Sequence, residues 1–166
     1  MAIHITSKTK SLRVQPSSKD ELRSIIEQEL KRQGPDADLN FIDTSFTVRT
    51  ACPHDVITDM SYLFRRSYDK GHVNDSVVFY IRDIKIDSWD VSNVVNMYRM
   101  FSDQMHFNCN LSHWDVRNVE NLDFAFHGCS KLRCDLSGWK PCAKHISWVT
   151  FDGCDCMPID FRLPLR

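Results

Sequence analysis

Three places in the sequence bring residue types together that could do chemistry. The first is Cys52-Pro53-His54, a thiol beside an imidazole. A catalytic nucleophile needs such a base, and the base needs a third group to orient it. Two residues along an irregular loop do not supply that, so a Cys/His-dependent enzyme is the alternative reading and not the main one. The second is "PCAKH" followed by "CDC", where Cys142, His145, Cys154 and Cys156 could hold a zinc ion. The Cys-x-x-His spacing suits zinc, whereas Cys-x-Cys is tighter than the usual ligand spacing. A zinc-dependent regulator is therefore a further alternative, and no metal or cofactor is expected. The third is the set Trp89, Trp114 and Trp139, which could stack on bases or sugars. Their regular placement favours a structural ladder instead. With only five glycines, no phosphate-cradling loop appears, and neither does a carboxylate pair or a His-Glu metal motif.

Bulk properties narrow the classes. A hydrophobic share of 42% and a charged share of 26% are ordinary for a globular chain of 166 residues with a real core. A formal net charge of −1 lacks the footprint of a general nucleic-acid binder. No run approaches the length of a membrane span. The start, "MAIHITSKTKSLRVQPSSKDEL", reads as neither leader nor anchor. Seven cysteines is an odd number, so reduced thiols and a cytoplasmic location are expected.

The elements that position these residues follow from an internal repeat. "IDSWDVSNVVNMYRMF" (86–101) returns 25 residues later as "LSHWDVRNVENLDFAF" (111–126), and a second step reaches Leu136, Trp139 and Phe151. A period of this length indicates a solenoid. Before each Trp, Ile84/Ile86, Cys109/Leu111 and Cys134/Leu136 alternate as inward positions of short strands. The tail pair Ile159/Phe161 and the stretch "LNFI" (39–42) read as further strands. Val94, Met97, Met100 and Phe101 recur at spacings of three and four, as do Val119, Leu122, Ala125 and Phe126, and Ile57, Met60, Leu63 and Phe64. That spacing predicts short helices. Asn93/Asn118 and Asn96/Asn121 are expected to bond turn backbone. Cys109/Cys134 and Cys129/Cys154 are each 25 apart, so they are expected to stack inward as small hydrophobes.

Ahead of the repeats, Ser18 and Glu21 form a capping box, and Leu22, Ile25, Ile26 and Leu30 make one apolar stripe. Gly34 and Pro35 end that helix, which is expected to cap the first repeat. The fold class expected is α/β: a short right-handed leucine-rich-repeat-like solenoid of about five short parallel strands with short helices opposite. It forms a single domain over 1–166, with 1–35 as arm and capping helix, 36–139 as repeats and 140–166 as C-terminal cap. Two excess stretches, 46–55 and 65–78, interrupt the period.

Residues 89–101 and 107–111 resemble the 25-residue repeat of bacterial surface and mycoplasma lipoproteins of unassigned function. The family's form is Trp-Asp-Val-Ser-Asn-Val-x-x-Met-x-x-Met-Phe, then Phe-Asn-x-x-Ile or Leu, with Leu at position 111 here. "AFHGCSKL" (125–132) also resembles the core of BspA-like leucine-rich repeats. The resemblance covers roughly residues 16–139. Three departures stand out. Lys144 takes the place of Val94 and Val119, Arg82 takes the inward place of Phe107 and Leu132, and the family's export signal does not appear. The adhesion role that the family implies is therefore not carried over.

Outward strand positions differ from repeat to repeat while inward ones recur, as expected of a recognition surface on a constant scaffold. Asp83, Lys85, Asp87, Asn108, Asn110, Arg133 and Asp135 lie there, with Tyr68 and Asn74 in the inserted stretch beside them. The function expected is a non-enzymatic protein-binding module, a free-standing inhibitor or effector of the kind carried by a phage or mobile element. The partner is another protein, not nucleic acid or membrane. An oligomerisation module, in which copies of the chain associate, is the third reading.

Overall fold

The structure is a computed structural model and describes residues 13–45, 58–64, 80–139 and 147–155. One α-helix, α1 (Lys19–Gln33), precedes the repeats. Its start follows the capping-box logic. The Ser18 hydroxyl accepts from the Glu21 amide at 3.1 Å. The Glu21 carboxylate reaches one residue further back than expected, to the Ser17 amide and hydroxyl at 2.7 and 2.6 Å. Gly34, with φ of 86°, closes the helix by donating to the Leu30 carbonyl. Leu22 and Ile26 are fully buried, while Ile25 and Leu30 are partly buried against the same core. Lys19 ties the first turn to the repeats through Ser61 at 2.9 Å and Asp59 at 3.4 Å.

The α/β expectation does not hold. Beyond α1, the described residues form a single 3₁₀ turn (Trp148–Thr150) and no strand. Among the described residues, parallel pairing is confined to isolated bridges: Val14–Ile42, Asp38–Lys85, Asp59–Asn96 and Asn96–Asn121. Among the described residues there is no solenoid of parallel strands with helices opposite. The 25-residue register itself is visible in hydrogen bonds between neighbouring repeats. The amides of Met97, Arg99, Phe101 and Asp103 donate to the carbonyls of Asn121, Asp123, Ala125 and His127 at 2.8–3.1 Å.

These bonds run through the stretch whose spacing predicts a helix, and backbone conformation explains why no helix forms. Tyr62, Arg99 and Phe124 occupy one repeat position and have φ of 59°, 53° and 59°. Four residues on, Asp103, Gly128 and Gly153 share a second position, with φ of 65°, 73° and 76°. Left-handed residues cannot continue a right-handed helix. The chain instead makes successive i→i+3 turns, such as Met100 to Met97 and Gln104 to Phe101. The recurring acidic and amide residues serve these turns. Asp59, Asn96 and Asn121 each accept from the amide two residues on at 2.7–3.0 Å, as do Asp90 and Asp115 at 2.9 and 3.2 Å. Asp90 and Asp115 thus form turns.

One core runs from Leu22 to Cys154. Phe64, Phe101, Phe126 and Phe151 stack through it with ring centroids 5.3, 5.4 and 5.4 Å apart. The repeat tryptophans Trp89, Trp114 and Trp139 are buried, and each indole N–H donates to a carbonyl of the preceding repeat. Trp89 reaches Leu39, Trp114 reaches Ile86 and Trp139 reaches Leu111, at 3.0–3.1 Å. A second side-chain ladder uses Gln104, Cys129 and Cys154, which donate to the carbonyls of the stacked Phe64, Phe101 and Phe126. The expected tail strand at Ile159/Phe161 lies outside the described residues.

Candidate binding surface

The alternation before each Trp survives without a sheet. Phe107, Cys109 and Leu111 are buried while Asn108 and Asn110 are exposed; Leu132, Cys134 and Leu136 repeat this around Arg133 and Asp135. Near residue 82 the pattern shifts. Ile81 is buried and Arg82 is exposed, paired with Asp36.

Side chains interrupt the backbone ladder on this face. The Leu111 amide donates to the Cys134 sulfur at 3.0 Å, where a parallel strand would offer a carbonyl. The Asn108 carboxamide oxygen accepts from the Arg133 amide at 2.9 Å. Side chains set between repeats hold the backbones apart, and two adjoining open grooves result. One, of about 290 Å³, is lined by Asp83, Lys85, Asp87, Asn108, Asn110 and His113 over Cys109. The other, of about 450 Å³, is lined by Asn108, Asn110, Arg133 and Asp135 over Cys134.

The structure thus brings seven of the sequence candidates together and sorts them. Asn108 bonds backbone, and Asn110 and Asp135 accept from the Ser112 and Ser137 amides at 3.1 and 2.9 Å. The Ser137 bonds hold the Asp135 carboxyl below the usual range. Asp87 is tied to the Asn40 carboxamide at 2.9 Å. Asp83, Lys85 and Arg133 spend no side-chain atom on the scaffold among the described residues. His113 is a groove residue that sequence reasoning missed. Its repeat position carries Ser88 and Gly138 elsewhere, so only the change of residue type signals it. Tyr68 and Asn74 lie outside the described residues.

The cysteines are placed for packing. Cys109, Cys129, Cys134 and Cys154 are buried thiols. Burial pushes Cys109 up to about 11, Cys134 upward, and Cys129 well above the ordinary thiol range. They are neutral at pH 7, and a neutral thiol is a poor nucleophile and metal ligand. Of the zinc candidates, Cys154 donates to the Phe126 carbonyl, while Cys142, His145 and Cys156 lie outside the described residues. Among the described residues, no three His, Cys, Asp or Glu side chains are grouped to hold a metal ion. Cys52 and His54 also lie outside them. No described helix is long and apolar enough to cross a membrane.

Comparison with known proteins places the repeats in a family. Residues 53–155, more than half of the chain, fit the family model described as "Mycoplasma protein of unknown function, DUF285". No curated protein and no solved structure matches. The repeats described above fall within this span, and α1 precedes it. The chain belongs to the DUF285 family of Mycoplasma proteins of unknown function.

Proposed function

We propose that this chain is a non-enzymatic module that binds another protein through the two grooves between its repeats. One observation carries this reading. On a face whose amides and thiols are spent on the scaffold, the side chains of Asp83, Lys85 and Arg133 make no hydrogen bond and no ion pair among the described residues. Both signs stand beside amide groups, a mixture suited to a protein surface and ill suited to a polyanion. The described thiols support catalysis less, since they are neutral and bonded within the core. The closer kinship with BspA-like repeats rests on residues 125–132 and is part of this proposal.

Reversing two charges tests it. The double variant Lys85→Glu, Arg133→Glu should lose capture of the protein that the parent retains from its own cells, by at least about tenfold, as hot-spot charges do. Its melting temperature should match the parent's, because neither side chain holds the fold. Capture that survives this change and vanishes in Cys52→Ser, His54→Ala would overturn the proposal. Retention of copies of the chain itself would assign the grooves to self-association.

A further inference from the structure

A different part of each repeat, the hydrogen-bonded turns, carries a row of aromatic side chains. Tyr62 meets Tyr98 edge-on with centroids 5.3 Å apart, and Tyr98 meets Phe124 edge-on at 5.9 Å. Tyr62 is 37% exposed. Arg99 lies across the row, its guanidinium carbon 4.7 Å from the Phe124 ring centre and 5.5 Å from that of Tyr98. It occupies the left-handed position that Tyr62 and Phe124 hold in neighbouring repeats.

Arg99 shares with the exposed Arg133 the lack of an ion-pair partner among the described residues, but unlike Arg133 it is half-buried. Arg23, Arg32, Arg82 and Arg117 each face a carboxylate. Arg99 is half-buried and faces none, and its Nε is buried with no acceptor. Stacking therefore holds the guanidinium in place, and its two terminal nitrogens form the edge left to solvent. A planar fork fixed by rings loses little freedom when it meets a planar anion. A partly desolvated cation without a counter-charge also gains more from that meeting than an exposed one.

We propose that Arg99, with Tyr62, Tyr98 and Phe124, forms a second recognition surface. It takes a carboxylate side chain of a partner protein flanked by an apolar residue. The carboxylate meets the terminal nitrogens of Arg99 and the apolar neighbour lies on the exposed rings. A single carboxylate fits better than a nucleic-acid backbone. Asp123 directly precedes Phe124, the ring that meets Tyr98, and Asp103 and Asp152 lie 3.5 and 3.7 Å from His127, beside Phe124. These acids repel a polyanion and leave room for one charge. This surface is independent of the grooves, and either can fail without the other.

The test uses the intact chain with its arginines labelled with nitrogen-15. The Arg99 guanidinium signal is assigned from the Arg99→Lys variant. Acetyl-Phe-Glu-Phe-amide should shift that signal to saturation in the millimolar range. The Gln counterpart should bind at least about tenfold more weakly, the margin of a charge-assisted pair over a neutral one. Equal response to both peptides, no response to either, or tighter titration by a short oligothymidylate would each overturn the proposal. The peptide comparison is made on the parent chain, so it stands even if Arg99→Lys fails to fold.

Discussion

Trp114 shows how much one side chain does in this architecture. Its ring is buried and stacks on Trp139 at 6.3 Å, and its N–H satisfies the Ile86 carbonyl at 3.1 Å. Trp114→Phe keeps most of the apolar contact and removes one of the two donors to that carbonyl, which still accepts from the Trp89 amide at 3.1 Å. It should cost about 0.5–1.5 kcal/mol, the net worth of one hydrogen bond, measured by urea unfolding. Cys109 gives a pH signature. Burial raises its folded pKa to about 11 from 9.0. The fold thus favours the neutral thiol, and the associated stability is complete below pH 9 and declines as pH rises from 9 toward 11. Site-resolved alkylation by iodoacetamide should keep accelerating up to about pH 11 in the native protein, and level near 9 in urea. Levelling near 9 in both would show a thiol open to water.

At the scale of elements, the helix and the turns differ in how far the sequence discloses them. Helix α1 is written in local signals: Ser18 and Glu21 at the start, an apolar stripe, and Gly34 at the end. Those act over one or two turns and carry into the structure. Within the stripe, burial separates two adjacent residues, for Ile26 is fully buried and Ile25 only partly. Ile26→Asp should unfold the chain or cost more than about 4 kcal/mol, since it buries a charge. Ile25→Asp should cost about 1–2 kcal/mol, read by the same denaturant curves; equal effects would mean that α1 packs on another face. The helical spacing of Val94, Met97, Met100 and Phe101 points to a helix where the chain makes turns. What overrides that spacing is the left-handed backbone at Tyr62, Arg99 and Phe124, and none of these is a glycine that would announce it. Gly128 and Gly153 do announce the second position, but Asp103 conceals it in the repeat before. The strands failed for a related reason. Alternation correctly separates buried from exposed residues, but it cannot reveal that the Cys134 sulfur and the Asn108 carboxamide replace backbone partners. The sequence logic therefore located the candidate surface, whereas its bonded and unengaged residues could be told apart only from the hydrogen bonds.

For the whole molecule, stacked phenylalanines, indole donors and turn-forming acids and amides hold successive repeats in register, and the grooves are what the interrupted side of that stack leaves open. A photo-crosslinking amino acid placed at His113 reads this surface without altering Asp83, Lys85 or Arg133. The control position is Arg117, which is exposed and paired with Asp115 at 2.7 Å away from the grooves. The account predicts that illumination in the protein's own cells gives a discrete adduct with one other protein from position 113 and none from 117, and that Lys85→Glu, Arg133→Glu abolishes it. An adduct from position 117 with none from 113 would contradict it.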